Sequence, residues 1–198
     1  ERAQALEPIA ALHQADLTQA ADRKRLLDEV GPIYGLVVFV GTPARVSAEA
    51  SFEDVLRQSI DVNFAGPLLL AREAAARMRA EGTRGAIVLL SSMQAMHVVA
   101  GSTPYATAKA ALGFGARILA KECRGRTDIR VNVVAPGVTD AGMAQASIAS
   151  GKYQRFLDED VIPRYGRATD VARAVRFLLE PDCYITGQVI AVDGGLSL

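Results

Sequence analysis

Aliphatic runs separated by longer stretches of helical spacing organise this chain. Residues 36–40 read Leu-Val-Val-Phe-Val and are closed by Gly41, while residues 86–90 read Ala-Ile-Val-Leu-Leu. A strand with one wet face alternates apolar and polar residues. A strand covered on both faces need not, so these runs predict parallel strands buried between helices. Further strands are expected at residues 9–15, 129–135 and 188–192. The first ends in Asp16-Leu17, the second is halted by Pro136-Gly137, and the last runs into Asp193-Gly194-Gly195.

Between them the apolar positions take helical spacing. Residues 17–30 read as a helix stopped by Gly31-Pro32. Ser51 caps a long helix that runs to about residue 80 and is closed by Gly82. Thr103-Pro104 supplies an N-cap and a proline at the first helical position, opening a helix to about residue 123. Residues 169–180 form a last helix, and residues 138–166 are less regular. Strands alternating with helices predict an α/β fold: a Rossmann-like, doubly wound parallel sheet in three layers, with residues 1–198 as one domain. Pro67 falls inside the long helix, four residues after Asn63. Lacking an N–H, it cannot bond the Asn63 carbonyl, so a kink and a freed carbonyl are expected there, where a relay water could bind.

Composition narrows the function classes. The chain has 198 residues, half of them hydrophobic, enough for one core. Its 22 basic residues balance 22 acidic ones, which offers nothing to nucleic acid or to an anionic membrane. No apolar run approaches the roughly 20 residues that span a bilayer. Cys123 and Cys183 are too few for a disulfide framework or a metal cluster, so a reducing, cytoplasmic setting and no metal are expected.

The candidate chemistry lies on the helix opened by Thr103-Pro104. Tyr105 and Lys109 are four apart and share a face, about 6 Å along the axis. An ammonium beside a phenol favours the phenolate and should draw its pKa down from about 10, as a general acid/base for an alcohol proton requires. Ser91-Ser92 stands at the end of a buried strand, where open α/β sheets present their chemistry. Asn63 sits upstream in Asp61-Val62-Asn63, Pro136-Gly137 follows the next strand, and Val192-Asp193-Gly194-Gly195 lies near the end.

In order and spacing these features resemble the short-chain dehydrogenase/reductase family across nearly the whole chain: Ser-x12-Tyr-x3-Lys, the upstream Asn, the Pro-Gly and the terminal Val-Asp-Gly-Gly. The resemblance implies an oxidoreductase moving hydride between NAD or NADP and a small-molecule carbonyl or secondary alcohol. A 3-oxoacyl reductase and a sugar or alcohol dehydrogenase are its candidate subclasses. By resemblance Tyr105 exchanges the proton at the substrate oxygen, and Ser92 hydrogen-bonds that oxygen. Lys109 binds the nicotinamide ribose and lowers the tyrosine pKa, and Asn63 holds a relay water. Val138 and Thr139, just after Pro136-Gly137, would meet the nicotinamide carboxamide. Asp16 and Leu17 would meet the adenine, and Gly41 would let backbone approach the cofactor. A homotetramer or homodimer is implied, built on the helix from Ser51, the Tyr105 helix and the last strand.

Other residues keep two readings. Met93, Met96, Val98 and Met143 line a substrate pocket or pack as core, and His97 touches substrate or is an exposed loop residue. Gly113 and Gly115 read as close helix packing. Two features depart from the family. Its glycine-rich turn, first strand and second strand have no counterpart, and about 40 to 50 residues ahead of Glu1 are expected to supply them, since the strand at residues 36–40 would otherwise have an unpaired edge. Val38-Phe39-Val40-Gly41 replaces the usual Asn-Asn-Ala-Gly, which predicts lost amide hydrogen bonds and a weakened or reshaped cofactor site. The rival reading is therefore a scaffold or binding protein with a degenerate cofactor site.

Overall fold

The computed structural model describes residues 11–46 and 50–198. Its elements run α1 (Ala20–Val30), β1 (Gly35–Val38), α2 (Phe52–Ile60), a π-helical turn (Asp61–Ala65), α3 (Gly66–Ala80), β2 (Ala86–Leu90), α4 (Thr103–Glu122), β3 (Arg130–Pro136), α5 (Gln145–Ala149), α6 (Arg155–Asp158), α7 (Ala168–Leu179) and β4 (Val189–Val192). The four strands form one parallel sheet in the order β1-β2-β3-β4.

Successive residues of β2 explain why its sequence does not alternate. Ile87 and Leu89 face α3 and α4, packing with Leu70, Met78, Leu112 and Leu119. Val88 and Leu90 face the other way, onto Val171, Val175 and Leu178 of α7. Both sides of the strand are dry, so both parities must be apolar. A third cluster joins Met93, Val138, Ile162 and Leu196 to Ile148, Tyr153 and Phe156. It seats the irregular segment carrying α5 and α6 over the C-terminal end of the sheet.

Ser51 caps α2, its Oγ accepting from Asp54 N at 3.1 Å. The break expected near Pro67 is resolved by a change of helical register: the Gly66 N–H bonds the Asp61 carbonyl, five residues back, and the chain continues as α3. A π turn absorbs one residue without ending the helix, which accommodates the missing proline donor.

The strand expected at residues 9–15 is not formed where it is described. Residues 11–15 carry no strand, and Ile9 and Ala10 lie outside the described residues. Extended backbone becomes a strand only beside a neighbour that completes its ladder. Here β1 is an outer strand of the sheet and pairs with β2 alone. It is only half-buried, as the expected unpaired edge requires.

Two polar residues in β3 are buried for structural reasons. The Asn132 amide donates to Ile185 O at 2.7 Å and accepts from Gln188 N at 3.1 Å, tying β3 to the approach of β4. Arg130 donates to Pro181 O and Glu180 O, both at 2.9 Å. Asn132→Ala would strand two backbone groups, and we expect a loss of about 2–4 kcal/mol in urea unfolding. A loss below about 0.5 kcal/mol would show that water replaces the amide.

Candidate active site

Three loops at the C-terminal ends of β1, β2 and β3 surround the first turns of α4 and enclose a cleft of about 650 Å³. That size suits a small-molecule site. The loop after β1 contributes Phe39, Val40 and residues 43–46. The loop after β2 contributes Ser91, Ser92, Met93 and Val99. Tyr105 and Lys109 come from α4, and Pro136, Gly137, Val138 and Thr139 follow β3.

Lys109 fixes this arrangement. Its side chain is buried and Nζ donates to Leu90 O at 2.9 Å and to Val40 O at 3.2 Å, carbonyls at the ends of two neighbouring strands. Burial holds its pKa down at about 8, so the ammonium persists at neutral pH. Ser91 Oγ donates to Lys109 O at 2.8 Å and anchors the same turn from the other side. Ser91 is thus structural. Ser92 Oγ accepts from Gln94 N at 3.2 Å, starting a short 3-10 turn, and lies beside Tyr105.

Lys109 does not make Tyr105 acidic here, contrary to the expectation from spacing. Burial, the largest influence, raises the phenol pKa; the Ser92 hydroxyl lowers it and Tyr153 adds to the rise. The physical reason is geometric: Nζ lies 6.0 Å from the ring centroid and spends two of its three donors on the strand-end carbonyls. At neutral pH Tyr105 is therefore a neutral phenol.

Asn63 is wholly buried, and its side chain is a clamp. Oδ1 accepts from Thr42 N at 2.9 Å, while Nδ2 donates to Thr42 O at 3.1 Å and to Ser59 Oγ at 2.9 Å. Ser59 Oγ in turn donates to Pro104 O at 2.7 Å, in the turn that carries Tyr105. One buried chain of hydrogen bonds therefore runs from the loop after β1 through α2 to the start of α4. Sequence reasoning missed Ser59 and Thr42. The available signal was the spacing of Ser59 and Asn63, four apart on one helical face.

Gly41 shows how tight this junction is. A Cβ there would lie 2.8 Å from Asn63 Oδ1 and 3.3 Å from Lys109 Nζ. Gly137 is equally constrained, because a Cβ would lie 2.6 Å from Asp193 Cβ. Val38, Phe39 and Val40 stand where the sequence predicted lost amide hydrogen bonds. Val38 is in the core, Phe39 is 62% exposed at the cleft, and Val40 meets Lys109 through its carbonyl. The backbone contact survives the change of side chains.

Asp16 and Leu17 are not brought to the cleft. Asp16 Oδ1 accepts from Thr18 N and Thr18 Oγ1, and Leu17 packs on the core near Gly66. His97 and Met96 also stand outside the lining, whereas Met93 and Met143 belong to it. Gly115 lies against Leu68 as close helix packing, while Gly113 meets Val189 at an ordinary contact distance. The residues present fit the nicotinamide end of a dinucleotide, with the Thr139 hydroxyl, the Lys109 ammonium and the glycine backbone of 137 along one cleft. Among the described residues none forms a glycine-rich phosphate loop.

A family model described as enoyl-(acyl carrier protein) reductase matches residues 1–197. A short-chain type dehydrogenase/reductase of Bradyrhizobium diazoefficiens is 39% identical over 140 residues, 70% of this chain and 49% of the relative. Carbonyl reductase family member 4 of Danio rerio is 34% identical over 188 residues, 92% of this chain and 76% of its own. The chain thus spans about half of the first relative and three quarters of the second. A solved 7α-hydroxysteroid dehydrogenase, complexed with NADH and 7-oxo glycochenodeoxycholic acid, superposes with a TM-score of 0.86 at 28% identity, covering 98% of this chain and 77% of that one. With these matches and its Ser92, Tyr105 and Lys109 in one cleft, the chain belongs to the short-chain dehydrogenase/reductase family of NAD(P)-dependent oxidoreductases.

Proposed function

We propose that this protein reduces a carbonyl compound to a secondary alcohol with NADH or NADPH, and runs the reverse reaction at higher pH. The convergence of Tyr105, Ser92 and Lys109 on one cleft carries this reading. The nicotinamide cofactor supplies the hydride, and Lys109, Pro136, Gly137, Val138 and Thr139 are the residues to hold its reactive end. Tyr105 donates the proton to the substrate oxygen, and Ser92 orients that oxygen by a hydrogen bond. Burial keeps the phenol protonated and ready to donate, so the site is poised for reduction near neutrality. Lys109 holds the strand ends together and keeps a positive charge near the proton donor. Asn63 and Ser59 position the turn on which Tyr105 rides. Substrates of the 3-oxoacyl, sugar and secondary-alcohol classes all present the required oxygen.

Assembly is part of the proposal. Phe114 and Ile118 on α4 and Phe52, Ile60 and Leu69 on α2 and α3 are exposed apolar side chains. Covering them in a homodimer or homotetramer removes that surface from water. Light scattering on the full-length protein should give two or four subunits, and a monomer at micromolar concentration excludes the assembly.

Tyr105→Phe should lower kcat by about 10²-fold or more while leaving the affinity for NADH or NADPH, read by fluorescence titration, nearly intact. Comparable turnover in the variant removes Tyr105 from the chemistry. Failure of the wild-type protein to bind either dinucleotide would favour a scaffold. The direction of the Tyr105 shift also fixes the sign of the pH dependence. Alcohol oxidation needs the phenolate, so its kcat/KM should climb steadily from pH 7 toward the ordinary phenol value of 10.0. Reduction should hold through neutrality and weaken at high pH, where both Tyr105 and Lys109, whose pKa is about 8, lose protons. An oxidation profile flat over that range contradicts the assigned base.

A further inference from the structure

Among the described residues the cleft carries three cationic side chains, Arg45, Lys109 and Lys152, and no aspartate or glutamate. Lys109 is committed to the carbonyls of Leu90 and Val40. Arg45 and Lys152 belong to two different walls. Arg45 lies in the loop after β1, and its Nη2 donates to Ser147 Oγ of α5 at 2.8 Å, so the guanidinium sits where that loop meets the segment after β3. Lys152 follows α5, with Nζ 5.6 Å over the ring of Tyr153, another lining residue. The same lining includes the apolar side chains of Phe39, Val46, Val99 and Met143.

We propose that Arg45 and Lys152 form an oxyanion-recognition site for the substrate, and that the natural substrate is a carbonyl compound with an apolar body and a carboxylate. This deepens the oxidoreductase reading above and rests on it. The physical case has three parts. No carboxylate among the described residues pairs with Arg45 or Lys152. A guanidinium held at one corner by a serine is pre-oriented, and its remaining N–H groups match the fork of a carboxylate. A cleft of about 650 Å³ walled by aliphatic and aromatic side chains rewards an apolar body and rejects a heavily hydroxylated one. A sugar fits such a wall poorly; an oxo-acid fits both features.

The same cations could serve a phosphate, on the substrate or on the cofactor, so the test separates these sources. The full-length protein is titrated by calorimetry with a series of medium-chain oxo-carboxylates, their methyl esters and the matching alkyl phosphates. The expected result is a preference for carboxylate over ester of about 10-fold or more. In Arg45→Met the ratio should fall to near one, in Lys152→Met it should fall partway, and in Arg45→Lys it should be partly restored. Lys152 donates no hydrogen bond to the described residues, so its variant reports on the site even if Arg45→Met unfolds. The assignment is overturned by an equal affinity for acid and ester, by a ratio that survives both methionine variants, or by equal losses for acid and ester, which would make Arg45 a latch to Ser147 only. A preference for the phosphate over the carboxylate overturns the carboxylate, and a loss confined to NADPH affinity assigns the cations to the cofactor. Because the readout is binding, the selectivity should persist in Tyr105→Phe. A protein that selects the acid yet turns nothing over would sink the oxidoreductase reading and leave the anion site standing.

Discussion

An ammonium buried among apolar strands must find acceptors, and the architecture of this site follows from where Lys109 finds them. Its Nζ reaches Leu90 O at the end of β2 and Val40 O just past β1. Leaving a charge in the interior without such partners costs several kcal/mol, so the two loops and the first turns of α4 are held in one arrangement. The residual cost appears in the lysine itself, whose pKa is held at about 8 by burial.

The neighbouring polar groups obey the same rule. Asn63, Ser59 and Ser91 are all buried, and each spends its hydrogen bonds on backbone or on another member of the set. A fully satisfied network in a low dielectric is rigid, and partial loss is costly. That rigidity is useful to a proton donor. Tyr105 lies between the Ser59 contact to Pro104 and the buried lysine, so its helical turn is held by bonds on both sides while its phenol meets Ser92. The same burial keeps the phenol protonated at neutral pH.

Two kinds of element build the cleft. The end of β2 and α4 carry Ser92, Tyr105 and Lys109, while further cleft walls come from the loop after β1 and the segment following β3. Loops on a rigid frame can vary without disturbing the catalytic groups. The Arg45 to Ser147 contact joins the loop after β1 to α5 and sets a guanidinium in the cleft lining.

Much of this protein was written in its sequence. Unalternated aliphatics in residues 86–90 specified a covered strand, and Pro104 marked the first turn of α4, although the N-cap is Ser102 and not the expected Thr103 and no side chain caps the helix. Ser92, Tyr105 and Lys109 were singled out by their resemblance to the family pattern, with spacing alone offering only the shared helical face of Tyr105 and Lys109, and the structure brings all three into one cleft. Residues 11–15, the described part of an expected strand, misled, because an apolar stretch becomes a strand only beside a partner, and pairing is not local. Only the tertiary structure decided the roles of Ser59, Thr42 and Arg45, whose partners lie 45, 21 and 102 residues away. It also decided the direction of the Tyr105 pKa. Spacing brought an ammonium near the phenol, but burial and the orientation of Nζ set the balance, and both depend on everything packed around the pair.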